Sequence, residues 1–175
     1  MLRRIIGAAT LNISVYEEVE ADRSATLQAL HVVILVSLVI GIKFLILGDF
    51  SKLFQVVGLA IVTWGLLALI TYVVGTTLFR TAETEADWGQ LLRTLGFAQS
   101  PRILILLTTL VPLTIGLIIA IAVIFWWLAA TVVAVRQALD YRSTLRAVVV
   151  TVIGFIGTGV VISIGVYIID LLNIS

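Results

Sequence analysis

A chain of 175 residues that is 61% hydrophobic and only 12% charged, with a mean hydropathy of +1.22, carries more apolar surface than a soluble domain can bury, so a lipid bilayer is its natural solvent. A net charge of +1 provides no basic field for nucleic acid, and the absence of cysteine removes disulfides, thiolate metal sites and a cysteine nucleophile.

The N-terminus does not read as a cleaved signal, because the apolar stretch after Arg3 and Arg4 is short and Glu17, Glu18, Glu20 and Asp22 follow where small residues should sit. Leu2, Ile5, Ile6 and Ala9 instead keep helical spacing, which predicts an interfacial helix over about 2–9. Ser14 and Glu17 have the spacing of a capping box, so a second helical piece is expected from near Val15.

Four uncharged windows follow: Ser24 to Ile42 (19 residues), Leu53 to Phe79 (27), Ile103 to Val135 (33) and Ala147 to Ile169 (23). About 20 apolar residues cross a bilayer, so the first, second and fourth are single crossings. The third would be roughly 50 Å long as one helix, too long for one crossing.

Charge chooses between one crossing and two. With a single crossing there, Arg3, Arg4, Arg23, Arg80, Arg93 and Arg102 face Lys43, Lys52, Arg136, Arg142 and Arg146, six against five, which is no bias. With a turn at Pro112, made flexible by Gly116, the last three arginines join the first group and the split becomes nine against two. The expected fold is therefore an all-α integral membrane protein: one domain, a five-transmembrane-helix bundle with spans near 24–44, 53–79, 98–112, 115–135 and 145–169. Ser100-Pro101 reads as the N-cap and first turn of the short third span. Positive-inside bias puts the N-terminus in the cytoplasm and the C-terminus outside, in a plasma membrane.

In the loop 80–102, Trp88, Leu91, Leu92 and Leu95 fall on one helical face. This predicts an amphipathic helix over about 86–96, lying on the membrane surface and ended by Gly96.

Among candidate sites, the acidic residues Glu17, Glu18, Glu20 and Asp22, with Glu83, Glu85 and Asp87 on the same side, are read as a solvated face that favours helix N-termini. The sharper alternatives are a docking surface for a basic protein partner and a divalent-ion site. His31, one turn from Gln28, is expected to make a structural hydrogen bond across helices, and Lys43 to snorkel. Trp64, Trp126 and Trp127 lie too deep for an interfacial belt, and threonine hydroxyls are expected to accept their indole N–H groups. Gly154, Gly157, Gly159 and Ser163 put small residues on the last span for close helix packing within the bundle, with homo-oligomerisation as the alternative. GFIGTG lacks the Lys-Ser/Thr ending of a phosphate loop, and no catalytic motif or cofactor site is found, so no enzymatic activity is expected.

IIGAATLNISVYEEVEADRSAT at 5–26, LLRTLGFAQSPRIL at 91–104 and WWLAATVVAVRQAL at 126–139 resemble, in order, the small prokaryotic members of the Yip family, named for proteins that interact with Ypt/Rab GTPases. Leu95-Gly96-Phe97-Ala98 with Pro101 is the most specific piece. The resemblance implies five membrane helices and a cytoplasmic N-terminus. For eukaryotic members it implies roles in vesicle trafficking and membrane shaping, but this chain lacks their long N-terminal region and its aspartate-leucine-tyrosine stretch. The expected function is thus a non-enzymatic membrane scaffold, in contact with membrane lipids and a protein partner. The alternative is a small transporter, channel or lipid-handling protein built on the Pro112 break.

Overall fold

The computed structural model describes residues 1–174, with side chains through residue 172. The described residues are helical, with no strand: α1 Leu2–Ala9, α2 Ile13–Ala21, α3 Ala25–Ile40, α4 Ile42–Ile46, α5 Phe50–Thr77, α6 Trp88–Phe97, a 3-10 helix Ser100–Leu110, α7 Leu113–Ala138 and α8 Thr144–Ile174. Three helices, α5, α7 and α8, are long and apolar enough to cross a membrane, and α3 is a shorter apolar helix.

Local chemistry sets the boundaries. Leu11 takes a left-handed turn at φ 60°, and the Asn12 side chain then accepts from the Ser14 amide at 3.0 Å. That cap starts α2 at Ile13, so the expected Ser14–Glu17 box is replaced by an asparagine cap two residues earlier. Asp49 caps α5 through the Lys52 amide, and Asp87 and Gln90 form a reciprocal capping box at the start of α6.

The segment after α6 departs from regular helix. Ser100 does not cap it: its hydroxyl is buried without a hydrogen-bond partner, and Gln99 occupies the cap position. Over Ser100–Leu110 the backbone winds as a 3-10 helix, and Thr108 and Thr109 donate to carbonyls three residues back, Ile105 and Leu106, at 2.7 Å each. At about 2.0 Å of rise per residue, eleven residues reach about 22 Å, against roughly 16 Å as an α-helix. Val111 and Pro112 are extended, and the 3-10 helix packs chiefly against α7, with the Thr108 carbonyl 3.3 Å from where a Cβ on Gly116 would lie.

The core is densest at the end of the bundle where α5 stops and α8 begins. Tyr16, Phe97, Leu91, Leu95 and Leu139 are fully buried there. Six of the ten residues of α6 are buried, Gly96 among them, and the helix runs on to Phe97. A helix lying on the surface would bury only its apolar stripe; α6 instead also packs its polar face, because Arg93 and Thr94 find backbone partners. By contrast, Leu59, Val62, Ile118, Ile121, Phe125, Ile156 and Val160 point outward from α5, α7 and α8, the dress of helices solvated by lipid.

Candidate functional site

The acidic residues gather at the densely packed end, and most have partners within the chain. Glu18 pairs with Arg3 and, at 2.9 Å, with Arg4; Asp22 takes Arg4 at 2.8 Å. Arg4 is nearly buried and also donates to Gln28 Oε1 at 3.2 Å, so it ties α1 to both α2 and α3. The arginine hydrogen bonds hold the Glu18 carboxyl below its ordinary range; those from Ser24 and then Arg4 do the same for Asp22. Glu83 meets Arg142 at 2.6 Å, and Asp87 caps α6.

Glu20 differs. Its carboxylate accepts from Gln90 Nε2 at 3.1 Å, and its backbone carbonyl accepts from Nε and Nη2 of the buried Arg93. Burial, and next the charge of Asp140, push its carboxyl up to about 7. Glu17, exposed, accepts from Gln137 Nε2 at 3.3 Å, while Glu85 is exposed on the loop before α6. Gln90 of α6 thus links Glu20 to Asp87, while Gln137 of α7 holds Glu17. Among the described residues no three His, Asp or Glu side chains converge to hold a metal ion. Two polar grooves open at this end: one of about 400 Å³ between Glu83, Arg136, Gln137 and Arg142, and one of about 560 Å³ between Tyr72, Arg80, Glu85 and Gln90.

A third cavity, of about 540 Å³, lies deeper and is chiefly apolar. Val36, Ile40, Val56, Leu59 and Ile162 form its walls, and Gln99, Arg102 and Trp127 its polar end. The Arg102 guanidinium stacks on the Trp127 ring at 4.7 Å and donates to Gln99 Oε1 at 2.7 Å; no carboxylate among the described residues pairs with it. Trp127 packs edge-on to Phe155, and its indole N–H is buried without an acceptor. Trp127 stands nine residues before Arg136 and fourteen after Leu113, about 14 Å and 21 Å along α7, so Arg102 sits near the middle of that helix.

Arg102 is the residue that sequence reasoning missed. By sequence it reads as the charged edge of an apolar window, whereas α6 is largely buried and carries the chain inside the bundle before residue 102. The available signal was Gln99 three residues earlier, a second polar group on the same side of a helical turn.

The other expected residues fall as follows. Gly154 and Gly157 are spent inside the chain: a Cβ would lie 2.6 Å from Thr71 Oγ1 and 3.0 Å from Ile70 Cγ2. Gly159 faces open space and, with Ser163, lines the deep cavity, so these two do not join the close helix contact. Pro112 is exposed beside Leu110 and Leu113, away from that cavity. His31 is exposed and makes no hydrogen bond among the described residues, because its face of α3 turns away from the bundle. The tryptophans use backbone carbonyls in place of threonines: Trp64 donates to Leu92 at 3.0 Å and Trp126 to Ala9 at 2.7 Å.

Compared with known families, residues 13–164 match the model of the Yip1 domain. No curated protein and no solved structure gives a significant match.

Proposed function

This chain belongs to the Yip1 domain family, and from that premise we propose that it is a non-enzymatic scaffold of a plasma membrane, crossing it five times with its N-terminus in the cytoplasm. The crossings are α3, α5, the joined α6 and 3-10 helix, α7 and α8. Arginine placement supports the orientation. Arg3, Arg4, Arg23, Arg80, Arg93, Arg136, Arg142 and Arg146 belong to the end closed by α1, α2 and α6, and only Lys43 and Lys52 to the other, eight against two with Arg102 between.

The observation that carries the scaffold reading is the construction of that end. Internal ion pairs neutralise Glu18, Asp22 and Glu83, and two polar grooves remain open, one at Gln137, which Glu17 contacts, and one at Glu85 and Asp87. A preorganised polar surface of this kind suits recognition of a protein partner with basic side chains, as trafficking or membrane-shaping factors of this family would require. Among the described residues no cation pairs with Glu17 or Glu85, so both contribute open charge.

Co-purification from membranes tests this. Glu17→Lys with Glu85→Lys should lose a partner that wild type and an Asp49→Lys control at the opposite end retain. An identical set of partners for all three proteins would contradict the scaffold reading.

A further inference from the structure

An arginine in the middle of a membrane-embedded bundle is expensive unless something neutralises it. Arg102 has no carboxylate partner among the described residues; its one side-chain hydrogen bond goes to a neutral amide, and its face lies on an indole ring. The Trp127 ring lines the same cavity, while its N–H is itself closed off inside the bundle. Arg102 and Gln99 therefore form the charged and amide end of a cavity that is otherwise chiefly apolar, with the hydroxyls of Ser37, Thr63, Thr158 and Ser163 spaced along it. The mouth lies where α5 and α8 diverge. Gly154 and Gly157 hold these helices in contact at Thr71 and Ile70, but Gly159 faces open space, and Leu59 and Gly159 are both exposed to the apolar surroundings of the bundle.

We propose that this cavity binds one acidic membrane lipid, with its phosphate on Arg102 and an acyl chain lying between α3, α5 and α8. A phosphate supplies the negative charge that Arg102 lacks, and charge-assisted bonds to a guanidinium are the strong ones. The apolar walls favour a ligand with a hydrocarbon chain over a soluble anion, which would gain nothing from Val36, Ile40, Val56 and Ile162. The mouth opens onto the lipid-solvated side, the direction from which such a ligand arrives. A volume of about 540 Å³ is within the range of small-ligand pockets. This inference needs the helices to be embedded in lipid but is independent of any partner at the polar cap, so each can fail without the other.

Native mass spectrometry of the detergent-purified full chain, titrated with phosphatidylglycerol, phosphatidylcholine and inorganic phosphate, tests it. Wild type should retain phosphatidylglycerol about tenfold more strongly than phosphatidylcholine, the preference expected of one charge-assisted contact. Arg102→Gln should abolish that preference and Arg102→Lys should keep most of it. Arg80→Gln, at the polar end, should leave it unchanged. Gly159→Leu, which narrows the mouth at a position with open space, should reduce lipid retention in a folded protein and carries the test if Arg102→Gln does not fold. Equal retention of the two lipids would overturn the proposal, as would a preference that survives both Arg102→Gln and Gly159→Leu. Displacement of the lipid by inorganic phosphate at matched concentration would assign the site to a soluble anion and overturn it equally.

Discussion

The guanidinium of Arg102 lies 4.7 Å from the centre of the Trp127 ring, so the 3-10 helix and α7 are joined by a cation resting on an aromatic face. The arrangement explains how a charge is tolerated far from either end of α7: the ring quadrupole and Gln99 replace part of its hydration. Trp127→Leu removes both this face and the edge contact with Phe155. Its thermal unfolding in detergent should show a loss of about 1–2 kcal/mol, whereas Trp127→Phe, which keeps a ring, should lose less.

Gly96 marks a close contact between α3 and α6. A Cβ there would lie 2.6 Å from Ala29 Cβ and 3.2 Å from Ala29 Cα, and the backbone atom cannot step aside. Gly96→Ala should therefore destabilise by about 1–3 kcal/mol, the usual cost of overpacking. Gly159→Ala meets nothing within 4 Å and should leave the melting temperature unchanged or slightly raised by its better helix propensity. Similar losses at the two positions would mean that α6 does not lodge against α3 as described.

The raised carboxyl of Glu20 makes stability depend on pH. Folding shifts it from 4.5 to about 7, chiefly by burial, so the folded state favours the protonated form. Its contribution is full below pH 4.5 and is lost as pH rises through about 7. Glu20→Gln, which stays neutral, should remove that decline and raise stability above pH 7 by an amount on the order of 1 kcal/mol, after allowance for partial exposure. Melting curves of the two proteins across that interval check the sign.

Arg4 should behave differently from its neighbour Arg3, because it is nearly buried and contacts Glu18, Asp22 and Gln28, whereas Arg3 is exposed and contacts Glu18 alone. Arg4→Gln should speed amide exchange throughout α1, with a smaller effect from Arg3→Gln. Acid should loosen the same contact: folded Glu18 and Asp22 sit below 4.5 and 3.8, so their contribution is complete above those values and disappears as pH falls through the lowered folded ones.

What the sequence discloses is unequal across the chain. Long uncharged windows suffice to mark α5, α7 and α8, since no soluble core needs helices so apolar. The fate of α6 is less legible. Its stripe of Trp88, Leu91, Leu92 and Leu95 indicates a helix, but the pattern alone does not say whether the opposite face meets water or buried polar groups. Arg93 takes the second course, on the carbonyl of Glu20, a contact between residues 73 positions apart. The same ambiguity hides Arg102, because a charge flanking an apolar window is ordinarily read as its aqueous limit. The acidic clusters were legible as composition only: that Arg3 and Arg4 would neutralise Glu18 and Asp22 depends on the left-handed turn at Leu11, which folds α1 back along α2. The winding of Ser100–Leu110 leaves no trace in hydrophobic periodicity, since an all-apolar run looks alike at three or 3.6 residues per turn.

The most direct test of the proposed five crossings is accessibility of single cysteines, which the absence of native cysteine makes unambiguous. Glu17→Cys and Asp170→Cys, placed in otherwise unaltered protein, are labelled with a membrane-impermeant maleimide in right-side-out vesicles. With five crossings, Asp170→Cys alone is labelled, and Glu17→Cys reacts only after the vesicles are opened. Labelling of both from the same side would contradict it, since the number of crossings would then be even and the 3-10 helix could not serve as one of them.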